Sequence, residues 1–171
     1  MLAKSARYSN VLIAIHWLTA LLVVIAYLAS EGGRRVRLDP PLLHFATGMA
    51  VLVLVFARVI ARAAGGAPPP ASIDPRLVRA AQFGHALLYA LLIAVPLTGW
   101  IAASRLGVPI DLYGLRIPAI AAPVKGSIGA IGSIHQIGSN ALLILAGLHA
   151  AVALWHQFLR RDRTLERMSP F

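Results

Sequence analysis

The sequence predicts an all-α integral membrane protein, a four-helix bundle forming one domain over residues 1–171. Three observations carry this reading. The chain is 58% hydrophobic with 13% charged residues, its mean hydropathy is +0.75, and four separate apolar runs each approach the ~20 residues a helix needs to cross hydrocarbon. An ordinary soluble domain is roughly half apolar and about a quarter charged. Hydrocarbon must therefore be part of this chain's solvent.

The runs cover about Val11–Ala29, Leu42–Ala61, Gly84–Ala103 and Ile134–Leu159. Lys4 and Arg7 precede the first, which imitates a signal peptide. The run is too long for one, and a cut near Ala26 to Ser30 would discard His16, so it reads as a transmembrane helix. Between the second and third runs, Ala63 to Pro75 holds Gly65-Gly66 and Pro68-Pro69-Pro70 and reads as a linker. The longer segment between the third and fourth has room for short elements of its own. Pro96 falls inside the third span, where a local kink is expected.

The net charge of +10 comes from 16 Lys and Arg against 6 Asp and Glu. In a membrane protein this reflects topology and anionic lipid, and nucleic-acid binding is not indicated. Lys4, Arg7, Arg58, Arg62, Arg76, Arg79, Arg160, Arg161, Arg163 and Arg167 fall on one side of the spans. By the excess of cations that side is cytoplasmic, and both termini lie there. Arg34, Arg35, Arg37, Arg105, Arg116 and Lys125 occupy the opposite face and outnumber Glu31, Asp39 and Asp111. That face keeps a positive charge able to attract an anion.

The absence of Cys removes disulfides, thiolate-held clusters and covalently attached haem. Histidine is the remaining strong ligand type, and an ionisable group inside a membrane usually marks function. His16 sits near the cytoplasmic end of span one, His44 near the outer end of span two, His135 near the outer end of span four, and His149 further along span four. The interval from His135 to His149 returns to nearly the same helical face after a rise of roughly 21 Å. One face of span four thus carries two imidazoles at two depths. His16 matches the depth of His149, and His44 matches that of His135.

A b-type haem held by two axial imidazoles needs such pairs on opposing helices, with small residues beside them. Gly48, Gly138 and Gly147 provide small positions, although glycine is also ordinary packing material between membrane helices. A lone membrane His is as often an interhelical hydrogen-bond donor as a ligand, but four in matched pairs favour two haem b groups. Bare zinc or copper sites usually recruit Cys, Asp or Glu, and no span contains an acid. His85 and His156 have no depth-matched partner, and each is either an interfacial His or a neighbour of haem propionates or a quinone. Trp17, Trp100, Trp155, Tyr8 and Tyr27 lie near span ends, as interfacial aromatics do.

With these features in place, the chain resembles the bacterial cytochrome b561 family, in particular its short superoxide oxidase members. The resemblance is carried by Tyr8-Ser9 before Ile15-His16-Trp17, by His44 with Gly48, and by Gly84-His85, Leu88-Tyr89 and Pro96. Span four adds Ile134-His135, Gly147-Leu148-His149-Ala150-Ala151, and His156 before a basic tail ending Arg167-Met168-Ser169-Pro170. Departures fall in loop lengths and at Trp155, where relatives often carry another polar residue or His. The resemblance implies haem b on His16 with His149 and on His44 with His135, the pairing also reached from depth. It further implies a bacterial inner membrane location, ubiquinone as electron acceptor and superoxide as donor.

Superoxide is a small anion, and a positive mouth would raise its encounter rate. Arg105, just past span three, is the strongest candidate for steering it; the alternative is that these cations meet lipid phosphates. A quinone needs an apolar slot with a hydrogen-bond donor, for which His156, His85 and Trp155 are candidates. The other function class is a cytochrome b anchor subunit relaying electrons between a partner dehydrogenase or hydrogenase and the quinone pool. A channel or transporter without cofactor is weaker, because matched His with no intramembrane acid make a poor proton relay.

Overall fold

The computed structural model describes residues 7–30, 41–65, 68–69, 74–112, 114–161 and 164–170. Four long helices account for most of it: α1 (Asn10–Leu28), α2 (Leu42–Gly65), α3 (Pro75–Leu106) and α4 (Ala130–Trp155), the last continued by a π-helical turn, His156–Arg160. Each is long and apolar enough to cross a membrane, and the protein is a multi-pass membrane protein. Few residues within the spans are buried by the protein itself. Side chains such as Phe83, Ile60, Ile137 and Leu159 point outward, as lipid-facing positions do.

Local chemistry fixes the helix ends. Ser9 caps α1 by accepting from the Leu12 amide at 3.3 Å. Asp74 caps α3 by accepting from the Arg76 amide at 2.8 Å, with Pro75 in the first turn. Gly107 ends α3 in the left-handed region, φ +70°, which glycine adopts without strain. The helix that carries the third span begins at Pro75, ahead of the apolar run from about Gly84, because capping and not hydropathy sets where the helix starts. Likewise α2 runs to Gly65, into the expected linker, and α4 begins at Ala130. Pro96 lies inside a continuous α3.

Cross-helix hydrogen bonds define an up-and-down arrangement. Arg58, late in α2, reaches the Leu12 carbonyl early in α1, and His44, early in α2, reaches Ala26 late in α1. The bundle has a terminal end, where Tyr8 meets Arg167, and a hairpin end. At the hairpin end β1 (Ile110–Leu112) and β2 (Leu115–Ile117) pair antiparallel with Asp111 opposite Arg116, and β1 packs against α2. The loop is pinned back on α3 by Trp100 Nε1 donating to Pro118 O at 2.9 Å and by Ile120 N donating to Ser104 Oγ at 3.1 Å.

α1 packs most extensively on α2, and α3 on α4, with thinner contacts between the two pairs. The protein's own core, including Leu12, Ile13, Val51, Leu52, Val55, Ala103 and Leu142, is correspondingly small. The histidines lie along the seam between these pairs: His16 and His44 come from the first pair, His85, His135 and His149 from the second.

Candidate haem-binding site

At the hairpin end His44 and His135 face each other with ring centres 5.8 Å apart and planes at 85°. Each is held by a backbone carbonyl on a neighbouring helix: His44 Nδ1 lies 2.7 Å from Ala26 O, and His135 Nδ1 lies 2.9 Å from Val95 O. A carbonyl has no proton to give, so both Nδ1 atoms carry the hydrogen. In the neutral ring this tautomer leaves the lone pair on Nε2, the state in which imidazole binds a metal. The Thr98 hydroxyl stands 3.4 Å from His135 Nδ1. The face of His135 rests on Gly99, where an added Cβ would fall 2.8 Å from Cε1.

Toward the terminal end His16 and His149 are 6.3 Å apart with planes at 79°. The edge of this pair is closed by Trp17, whose ring lies 5.7 Å from that of His16. Trp17 Nε1 donates to Met168 O at 2.7 Å, and Arg7 Nη2 donates to Ser169 O at 2.7 Å. These bonds strap the C-terminal 3-10 turn, Leu165–Met168, against the start of α1. The tryptophans read as interfacial anchors from the sequence thus have their indole N–H groups engaged by protein backbone at Trp17 and Trp100.

An iron held between two imidazoles puts ring centres about 6 Å apart, from two metal–nitrogen bonds of roughly 2 Å and about 1 Å more to each ring centre. The centre-to-centre distances of both pairs, 5.8 Å and 6.3 Å, lie near this spacing. The small positions contribute unequally: a Cβ at Gly48 or Gly147 would meet nothing within 4 Å, while one at Gly138 would lie 3.2 Å from Val95 Cγ2. Among the described residues no group of three or more His, Cys, Asp or Glu could hold a bare metal ion. The donor set suits a porphyrin.

His85 departs from its expected position. Because α3 starts at Pro75, His85 lies well inside the helix, and its ring is 5.4 Å from His149. It therefore has a depth-matched neighbour, and the terminal-end level holds three imidazoles. His156 stands in the π-helical turn, 5.0 Å from Trp155, whose ring also lies 5.3 Å from the Arg160 guanidinium carbon. An open apolar groove between α3 and α4 is lined by Leu87, Leu91, Ala141, Ile144, Leu145 and Leu148.

Arg105 lies at the hairpin end of α3, and its Nε is buried without a hydrogen-bond partner. Its backbone carbonyl accepts from Val124 N at 2.9 Å. Arg116 is exposed and pairs with Asp111 at 3.7 Å, which offsets part of its charge. Arg34, Arg35 and Arg37 lie outside the described residues. Four residues of the two levels carried no functional expectation: Gly99 and Thr98 beside His135, and Tyr89 and Arg58 toward the terminal end. Gly99 was open to detection, since a glycine within an apolar helix often marks a close approach.

The family model for prokaryotic cytochrome b561 matches residues 7–171. The chain is 33% identical to a probable superoxide oxidase CybB of Yersinia pestis, covering 96% of both chains. It is 30% identical to cytochrome b561 homolog 1 of Escherichia coli K12, covering 96% of this chain and 97% of the other. It is 32% identical to cytochrome b562 of Cereibacter sphaeroides, covering 98% of each.

Proposed function

The chain belongs to the prokaryotic cytochrome b561 family of membrane haem oxidoreductases, and from that premise we propose that it carries electrons from superoxide to ubiquinone through two b haems. His16 with His149 would hold one haem and His44 with His135 the other. The observation that carries this is the presence of two imidazole pairs at two levels, each at the spacing of a shared iron.

A b haem supplies a one-electron iron couple. The protein's part is to orient the ligands, exclude water and set the entry and exit points. Ala26 O and Val95 O fix the Nδ1 protons at the hairpin end, so neither imidazole needs to change protonation as an electron passes. Superoxide as donor is supported by the CybB relative's name and by Arg105, whose buried, unpartnered Nε lies at the hairpin end. Two superoxide anions would release two dioxygen molecules and two electrons there. Ubiquinone would take up those two electrons and two protons at the terminal end, where His85, His156 and Trp155 stand. The apolar groove along α3 and α4 is suited to an isoprenoid tail.

The concentration of cations at the terminal end supports a cytoplasmic location for both termini and a bacterial inner membrane setting. The test is the optical spectrum and haem content of the detergent-purified protein, followed by addition of a superoxide source and a soluble quinone. About two b haems per chain, reduced by superoxide and reoxidised by quinone, is the expected result. Haems reduced by dithionite but indifferent to superoxide would assign the chain instead to a partner dehydrogenase or hydrogenase. A colourless protein would overturn the reading.

A further inference from the structure

No span contains an aspartate or glutamate, yet α2 carries an arginine into the terminal-end level of the bundle. Arg58 Nε donates to the Tyr89 hydroxyl at 3.0 Å, and Nη1 donates to Leu12 O at 3.1 Å. One guanidinium thereby joins α1, α2 and α3. Both partners are uncharged, so its charge is oriented by them without being neutralised.

From charge counting alone Arg58 looks like one more topological cation. Its spacing says otherwise. The interval from His44 to Arg58 equals that from His135 to His149, about four turns and roughly 21 Å of rise. α2 therefore presents an imidazole at the hairpin-end level and a guanidinium at the terminal-end level, on nearly the same face. The two partners of Arg58 fix its depth: Leu12 is about one helical turn from His16 on α1, and Tyr89 is about one turn from His85 on α3. The guanidinium therefore stands at the terminal-end level and not at that of His44 and His135.

We infer that Arg58, held by Tyr89 and the Leu12 carbonyl, is a positioning cation that raises the redox potential of the terminal-end haem relative to the hairpin-end haem. This rests on the two-haem reading above. Gaining an electron lowers the charge of an iron site by one, so a fixed cation nearby stabilises the reduced form. A unit charge at roughly 10 Å in an effective dielectric near 20 changes such an equilibrium by about tenfold. By this contribution Arg58 favours passage of an electron from the hairpin end toward the terminal end. A bias in the direction of transfer is thus built into α2.

The experiment is a spectroelectrochemical titration of the purified holoprotein, with His44→Ala, expected to keep only the terminal-end haem, used to assign the two potentials. Arg58→Gln should lower the reduced-to-oxidised ratio of the terminal-end haem about tenfold at a given ambient potential, a shift of about 59 mV for a one-electron couple, and leave the other haem unmoved. Arg58→Lys should retain the potential. Tyr89→Phe keeps the charge but loosens its position, and should give a smaller shift in the same direction.

Unchanged potentials in Arg58→Gln, equal shifts in the Gln and Lys variants, or equal shifts of both haems would each overturn the inference. Should Arg58→Gln fail to retain the terminal-end haem, Tyr89→Phe and Arg58→Lys decide: no shift in Tyr89→Phe, or a full shift in Arg58→Lys, overturns it. Fewer than two haems in the unaltered protein is a different result, which removes the two-haem reading itself.

Discussion

The imidazole of His135 lies against the backbone of Gly99 across the seam between α3 and α4, so closely that a Cβ on the glycine would fall 2.8 Å from Cε1 and 3.1 Å from Nδ1. The same ring is bonded to Val95 O, one turn earlier on α3. Helix α3 thus acts as a template that sets the ring's plane. Gly99→Ala should force the imidazole away from that carbonyl, at a cost of about 1–3 kcal/mol for an overpacked contact. A thermal melt and the haem-to-protein ratio check this. The expected outcome is a lower melting temperature and selective loss of the hairpin-end haem, and wild-type values for both would show that the contact imposes no constraint.

Replacing either member of a pair should remove one haem and spare the other. His44→Ala and His135→Ala should each reduce the content from about two haems per chain to about one, losing the hairpin-end group. His16→Ala and His149→Ala should lose the terminal-end group instead. Pyridine haemochromogen assays with low-temperature spectra separate these cases. Loss of both haems from every single variant would mean that the bundle assembles only around both, or that the pairing is different.

His85 and His16 both stand near His149, at 5.4 Å and 6.3 Å between ring centres. An iron between two imidazoles requires about 6 Å, which favours His16. His85→Leu should therefore keep two haems per chain, whereas His16→Leu should keep one. The opposite pattern would make His85 the axial ligand and His16 its neighbour.

Arg105 bears on the first encounter with an anion. Arg105→Gln should leave the dithionite-reduced spectrum unchanged while slowing reduction by superoxide several-fold at low ionic strength. The deficit should shrink as salt is added, because screening removes steering in the parent protein as well. Stopped-flow reduction at two salt concentrations reads this directly. An equal rate in both proteins at low salt would leave Arg105 with only a structural part.

What could be seen without the fold follows from the one-dimensional nature of the signals. Hydropathy marks segments that must sit in lipid, and the fixed rise of a helix converts residue number into depth. The four spans, the two levels of histidine and the partners His16 with His149 and His44 with His135 are all statements about depth. Helix ends were less legible. The cap at Asp74-Pro75 extends α3 well beyond its apolar run, because capping obeys local hydrogen bonding rather than hydropathy.

The sequence by itself therefore determined that this is a four-span bundle with imidazoles at two depths. Only the tertiary structure decided which faces meet. It set His85 beside His149, laid Gly99 on His135, turned Arg58 toward Tyr89 and Leu12 O, and folded the β1–β2 hairpin against α2. The physical reason is that depth is a property of one helix, whereas azimuth is set by how neighbouring helices pack. Packing depends on contacts between residues far apart in the chain, which no single span carries.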